Sequence, residues 1–258
     1  MTYTPLFGTG FEMGTLPILT MDRADTVALS TTAKTGNYSL KIDTDYNNTK
    51  WVRFPVPNLT SMYLSFYLRA YNYDSIEPSR NTLYSPRIYL ASGQYIDIKL
   101  YKYTPSLYIN GVSIATSSVV LHENAWAHIQ LYVELSDNGK VQLKIDDVMA
   151  IDYDGDTQPG SATTITYIYF WIAGYYVPTL YIDDLTFGTG DWPGVICFER
   201  LVPNGDGLED DWTPSTGTDS YAAVDEVPAS DTDYIKSTTN GDRTLLTLSD
   251  WDATNKIP

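Results

Sequence analysis

The 258 residues contain two imidazoles, His122 and His128, and one thiol, Cys197. Nucleophilic and metal chemistry therefore has few places to sit. One cysteine cannot build a Cys-based zinc site or an intrachain disulfide. His122 lies in Leu121-His122-Glu123-Asn124, which reads as a loop before a strand, and His128 is expected to pack or cap rather than catalyse. Neither a Ser-His-Asp arrangement nor a glycine-rich phosphate loop is recognisable. Hydrolysis of a glycosidic bond needs two carboxylates a fixed distance apart. The nearest approach on one strand, Glu134-Leu135-Ser136-Asp137, has the wrong spacing and runs into a turn. The sequence offers no catalytic set, and the expectation is a protein that is not an enzyme.

Binding chemistry remains. Aromatic faces beside polar groups suit a sugar ring. Trp51, Tyr71, Tyr73, Tyr175 and Tyr176 fall at strand ends or in loops and are the carbohydrate-binding candidates. Two acidic runs also stand out: Asp183-Asp184, and Asn204-Gly205-Asp206-Gly207 leading to Asp210-Asp211. The second lacks the spacing of a helix–loop–helix calcium loop and reads as a solvated turn.

The elements that must position these residues are strands. Leu64, Phe66 and Leu68 alternate with Tyr63, Ser65, Tyr67 and Arg69, as Val141, Leu143 and Ile145 do with Gln142 and Lys144. Similar segments run from 38 to 42, 87 to 90, 95 to 101, 106 to 109, 128 to 135, 164 to 172 and 180 to 187. Asn110-Gly111, Asp137-Asn138-Gly139, Asp154-Gly155-Asp156 and Gly188-Thr189-Gly190 supply turns between them. No segment keeps a helical apolar period for three turns, so the predicted fold is an all-β sandwich or barrel. The 22 Tyr and 6 Trp suit pleated, half-exposed surfaces.

A net charge of −16 leaves no cationic stripe for nucleic acid and disfavours an anionic membrane surface. The start, Met1-Thr2-Tyr3-Thr4-Pro5, has no basic segment or apolar core of a signal peptide, and no run reaches membrane-spanning length. Charge is uneven along the chain: residues 1–190 carry net −6 and residues 191–258 net −10. The latter are rich in Asp, Thr, Ser, Pro and Gly and too poor in apolar residues to build a sandwich. The expected organisation is a β-sandwich over 1–188, followed over 189–258 by an acidic extended tail or the start of a second β module. That tail is expected to order only against the sandwich or a neighbouring chain.

Several segments resemble concanavalin-like and laminin-G-like jelly-roll modules. Gly10-Phe11-Glu12-Met13-Gly14 is similar to their opening strand, and Thr35-Gly36-Asn37-Tyr38-Ser39-Leu40-Lys41-Ile42 to a strand following a glycine turn. Trp126 to Ile145 resembles a central hairpin, and Leu180 to Phe187 a closing strand. This resemblance implies a jelly-roll sandwich and a structural Ca²⁺ held by Glu12 and Asp183, with Asp184 on the opposite face. Tyr169-Phe170-Trp171-Ile172-Ala173-Gly174-Tyr175 superficially resembles a strand of alginate-type lyases, but the lysine is absent and the acidity opposes uronate binding; a buried aromatic strand is the expectation. In the tail, Gly190-Asp191-Trp192-Pro193-Gly194, Trp212 to Gly217, Tyr221 to Pro228 and Thr232 to Ile235 resemble a segment of tailed-phage structural proteins. The resemblance implies a virion component (head decoration, tail or fibre) that joins other virion proteins or copies of itself through the tail. The alternative is a carbohydrate-binding or adhesion module of a bacterial surface, extracellular or at the cell surface. A polysaccharide-degrading enzyme ranks third.

Overall fold

A computed structural model describes residues 2–13, 20–21, 27–43, 49–71, 82–101, 103–158, 160, 162–173, 179–198, 200–226 and 232–249. The chain divides into two compact units, one of residues 1–11 and 16–198, the other of residues 12–15 and 199–258.

The first unit is a sandwich of two antiparallel sheets. The eight-stranded sheet runs β13 (Val148–Gly155), β12 (Gly139–Ile145), β11 (Trp126–Glu134), β6 (Ser61–Tyr71), β15 (Thr179–Thr189), β4 (Ser39–Asp43) and β3 (Val27–Ser30), with β1 (Thr4–Thr9) also paired to β15. The seven-stranded sheet runs β10 (Val112–Thr116), β9 (Thr104–Ile109), β8 (Tyr95–Tyr101), β7 (Thr82–Leu90), β14 (Ile165–Ala173), β5 (Thr49–Leu59) and β2 (Thr20–Met21). No α-helix occurs among the described residues. This is an all-β sandwich, as the alternation implied, of the jelly-roll, concanavalin-like class that the resemblance implied.

Alternate side chains meet in the middle because successive residues of a strand point to opposite faces. Leu64, Phe66, Leu68, Leu131, Val133, Leu143 and Ile182 come from one sheet, and Val52, Phe54, Ile88, Ile96, Leu107, Ile168 and Phe170 from the other; all are buried. Phe170 sits edge-on to Phe66 across the gap, with ring centroids 5.0 Å apart, and to its neighbour Phe54 at 5.9 Å. At the β9–β10 hairpin, Asn110 (φ 46°) and Gly111 (φ 86°) adopt the left-handed pair of a tight two-residue turn.

Two features depart from simple alternation. β5 contains Pro55 and Pro57 and still pairs along β14; among the described residues its other neighbour, β2, reaches only Arg53 and Val52. On a side without a ladder partner a missing N–H is tolerated. In β7 the pairing shifts between Tyr84 and Arg87, a bulge at Ser85–Pro86 that keeps positions 84 and 87 on one face.

The second unit holds two short ribbons, β16 (Pro203–Asp210) with β19 (Thr244–Leu248), and β17 (Thr213–Pro214) with β18 (Ile235–Lys236). A 3₁₀ turn spans Tyr221–Ala223.

Phe170→Ala should destabilise the sandwich by about 3–5 kcal/mol, the usual cost of truncating a buried phenylalanine. Equilibrium urea unfolding measures it, and Phe170→Leu should cost well under half as much.

Candidate functional site

The solvent face of the seven-stranded sheet carries an ordered grid of aromatic and charged side chains. Arg53 of β5, Tyr169 of β14, Arg87 of β7, Asp97 of β8 and Tyr108 of β9 stand in register as one row across five strands. At about 4.8 Å per strand the row is about 19 Å long. Pro55, Tyr167, Tyr89 and Tyr95 form a second row, and Trp51 and Trp171 lie on the other side, level with Lys99 and Ser106.

Arg87 is the fixed point. Its Nε and Nη2 donate to Asp97 Oδ1 and Oδ2 at 2.6 and 3.0 Å, and Nη1 donates to Tyr89 Oη at 3.2 Å. The guanidinium lies 4.0 Å from the Tyr95 ring centroid and 4.2 Å from that of Trp171. Asp97 is fully buried and Arg87 nearly so, so this bidentate pair holds the aromatic rings rather than awaiting a ligand.

Arg53 is different. It lies 4.7 Å over Tyr167 and 5.9 Å from Trp51, and its Nη1 reaches Tyr169 Oη at 3.4 Å. Its Nε has no hydrogen-bond partner. Trp51 meets Tyr169 at 5.3 Å, Tyr169 meets Tyr89 at 4.4 Å, and the Lys99 ammonium sits 3.8 Å over Tyr108. Cations and rings thus converge on one face of an acidic chain.

Of the sequence candidates, Trp51 belongs to this face. Tyr71 ends β6 on the opposite sheet, 43% exposed, so it does not join Trp51. Tyr73, Tyr175 and Tyr176 lie outside the described residues. The segment expected to be a buried aromatic strand is only half so: Phe170 and Ile172 point inward, while Tyr167, Tyr169 and Trp171 remain partly exposed. Arg53, Arg87, Asp97 and Lys99 were not singled out in the sequence. Their signal was available strand by strand as the odd-numbered outward set, but only register makes it a site.

The outer face of the eight-stranded sheet is covered by chain from the same unit. Trp192 packs on Tyr63 at 5.3 Å, with the Lys144 ammonium 4.1 Å over its indole. The Phe198 ring fills the space at Gly8 and Gly10, where an added Cβ would collide with it. Beneath lies a buried polar row: Ser65 Oγ meets His128 Nε2 at 2.8 Å, and His128 stacks on Tyr67 at 4.9 Å. Burial, only partly offset by Asp147 and Asp146, holds His128 below its ordinary range.

Of the two predicted calcium ligands, Glu12 is buried and Asp183 fully so. Asp183 Oδ2 accepts the backbone N–H of Lys34 (2.7 Å) and Thr35 (3.2 Å), and Oδ1 accepts that of Asp184 (2.8 Å). Asp184 sits in a bulge at φ 46°. That twist brings its carboxylate to Thr35, which Asp183 also contacts, contrary to the expected opposite face. Its carboxylate accepts Phe198 N–H at 2.8 Å and Thr35 Oγ1 at 2.6 Å. Ca²⁺ requires about six to eight oxygens, whereas backbone N–H groups and the Thr35 hydroxyl already donate to these carboxylates. No metal-holding cluster of His, Cys, Asp and Glu occurs among the described residues. The donor set does not fit the ion.

No protein-family model and no curated protein matches the sequence. Solved structures do match. Cellulose induced protein, Cip1, is similar with a TM-score of 0.56 at 17% identity, over 71% of this chain and 100% of that one. A mutant of alginate lyase Aly36B in complex with alginate trisaccharide is similar with a TM-score of 0.54 at 12% identity, over 67% and 88%. The carbohydrate recognition domain of Emp46p is similar with a TM-score of 0.51 at 9% identity, over 76% and 100%. The fold is therefore the lectin-like jelly roll. These likenesses also correct the expectation of a protein that is not an enzyme, because polysaccharide lyases share this fold. The acidity argument fails for a physical reason as well: net charge is a whole-chain quantity, and this face gathers its own cations.

Burial, and then the adjacent Asp184 carboxylate, raise Asp183 to about 8 from 3.8. A folded-state value above the unfolded one means its stabilising contribution is full below about pH 3.8 and is lost as pH climbs through about 8. Asp184→Asn keeps the Phe198 N–H bond through Oδ1, can donate from Nδ2 to Thr35 Oγ1, and removes the repulsion. Its melting temperature should therefore gain on wild type steadily between these limits, as read by thermal denaturation across pH. A constant difference would refute the coupling.

Proposed function

We propose that the solvent face of the seven-stranded sheet binds an anionic polysaccharide lying across the strands. The observation that carries this reading is Arg53, a partly exposed cation set among Trp51, Tyr167 and Tyr169. Rings stack on sugar faces while guanidinium and ammonium groups pair with carboxylates. The buried Arg87–Asp97 pair makes the platform rigid before ligand arrives, which lowers the ordering cost of binding. The alginate trisaccharide bound by one similar fold supports the choice of ligand class.

A second reading rests on the 3.4 Å contact between Tyr169 Oη and Arg53. With the uronate carboxylate neutralised by the guanidinium, the Tyr169 oxygen can take the C5 proton; the C5 electron pair then forms the C4=C5 double bond as the C4–O bond breaks, and the proton passes to the leaving oxygen. We also propose display on a particle surface, a setting supported by the C-terminal segments that resemble phage structural proteins.

Calorimetric titration with alginate and with a neutral β-glucan tests the main reading. Alginate should bind, more weakly as salt rises, and Arg53→Gln should weaken it about tenfold, or about 1.4 kcal/mol. Equal affinity for both glycans, or none for alginate, would sink it. If an ultraviolet-absorbing unsaturated product accumulates and Tyr169→Phe abolishes it, the second reading holds.

A further inference from the structure

The second compact unit has little of its own to hold it. Among its described residues Ala223 is the only buried hydrophobic side chain, and both its ribbons have two strands. A lone two-stranded ribbon is marginal in water. Yet this unit displays apolar side chains: Leu208 is fully exposed, and Leu245 and Leu248 are half exposed. Leu208 stands within a bulge of β16, where the stretch from Asp206 to Asp210 faces the shorter one from Leu246 to Thr244. The bulge is pinned at both ends. Tyr221 N–H donates to Asp206 Oδ1 at 2.7 Å, and Ser220 Oγ to Asp210 Oδ1 at 2.6 Å. A leucine held outward on a pinned bulge is a presented contact rather than a slack loop.

The ribbon's two outer edges differ in kind. β16 carries Asp206, Glu209 and Asp210 and is interrupted by the bulge, the marks of a guarded edge. β19 reads Thr244-Leu245-Leu246-Thr247-Leu248, with no charge, proline or glycine. Its ladder runs to the 202–211 side, where Ser249 N–H donates to Val202 O at 2.8 Å and Asp211 N–H to Arg243 O at 2.9 Å. Its other edge has no strand partner among the described residues.

We propose that β19 pairs antiparallel with β19 of a second copy of this chain, making one four-stranded sheet from two ribbons. Charge disfavours the other edge. Residues 199–258 hold 13 acidic and 4 basic side chains, so most approaches between copies set carboxylates against each other. Antiparallel pairing about a two-fold axis at Leu246 sets Leu246 against its own copy and Arg243 against Ser249, and like charges meet only past these, where Asp242 faces Asp250. The acidic β16 edges are left outermost and repel further copies. Association therefore closes at two instead of growing into a fibre.

Size-exclusion chromatography with light scattering on the full chain tests this. Wild type should have the mass of a dimer. Leu246→Lys and Leu246→Glu should each raise the dimer dissociation constant by roughly tenfold or more, because like charges then stand directly opposed. Mixing the two variants should restore the dimer, which a merely misfolded ribbon would not do. A wild type that stays monomeric at the highest concentration reached, a single variant that dimerises like wild type, or a mixture that stays monomeric would each overturn the proposal.

Discussion

The packing of Phe170 against Phe66 across the sandwich fixes the parity of β14, and the candidate site depends on that parity. Side chains alternate with a period of two, so a one-residue slip would carry Phe170 and Ile172 to solvent and bury Tyr167, Tyr169 and Trp171 in their place. Phe54 repeats the constraint on β5, meeting Phe170 at right angles and thereby presenting Trp51 and Arg53 outward. The candidate face is thus the complement of the core. Every ring it displays is held by an aromatic or branched neighbour pointing the other way.

Electrostatics adds what packing cannot. A chain of net charge −16 keeps three cations on one sheet face by treating them unequally. Arg87 is neutralised by buried Asp97 and serves as a spacer between Tyr95 and Trp171. Arg53 and Lys99 are held over tyrosine rings, which attract a cation through their quadrupoles without cancelling its charge. Neutralising Arg87 therefore stiffens the surface on which Arg53 and Lys99 lie.

The sandwich was legible because nearly every strand of the first unit alternates cleanly, and the Asn110-Gly111 hairpin turn was legible because its two left-handed residues suit only a few amino acids. β5 was not seen, since Pro55 and Pro57 argue against a strand until the edge position is known. The site was half legible. Trp51 was found as an aromatic at a strand end, but Arg53 and Arg87, 34 positions apart, meet across Tyr169 only through register. The bulge at Asp184 was invisible for a similar reason: alternation predicts opposite faces for neighbours, and a single left-handed residue overturns it. Whole-chain acidity says least about the site, because it averages over faces that the fold keeps apart.

The segment from Trp192 to Phe198 has a mechanical consequence. It leaves the closing strand β15 and is gripped by Tyr63 and Lys144 at one end, and by Gly8, Gly10 and the Asp184 carboxylate at the other. Tension applied from the C-terminal side arrives first at Phe198, then at Trp192, and only then at the ladder of β15. Two side-chain anchors in series act as a fuse. They yield stepwise under load and spare the sheet whose loss would unravel the sandwich.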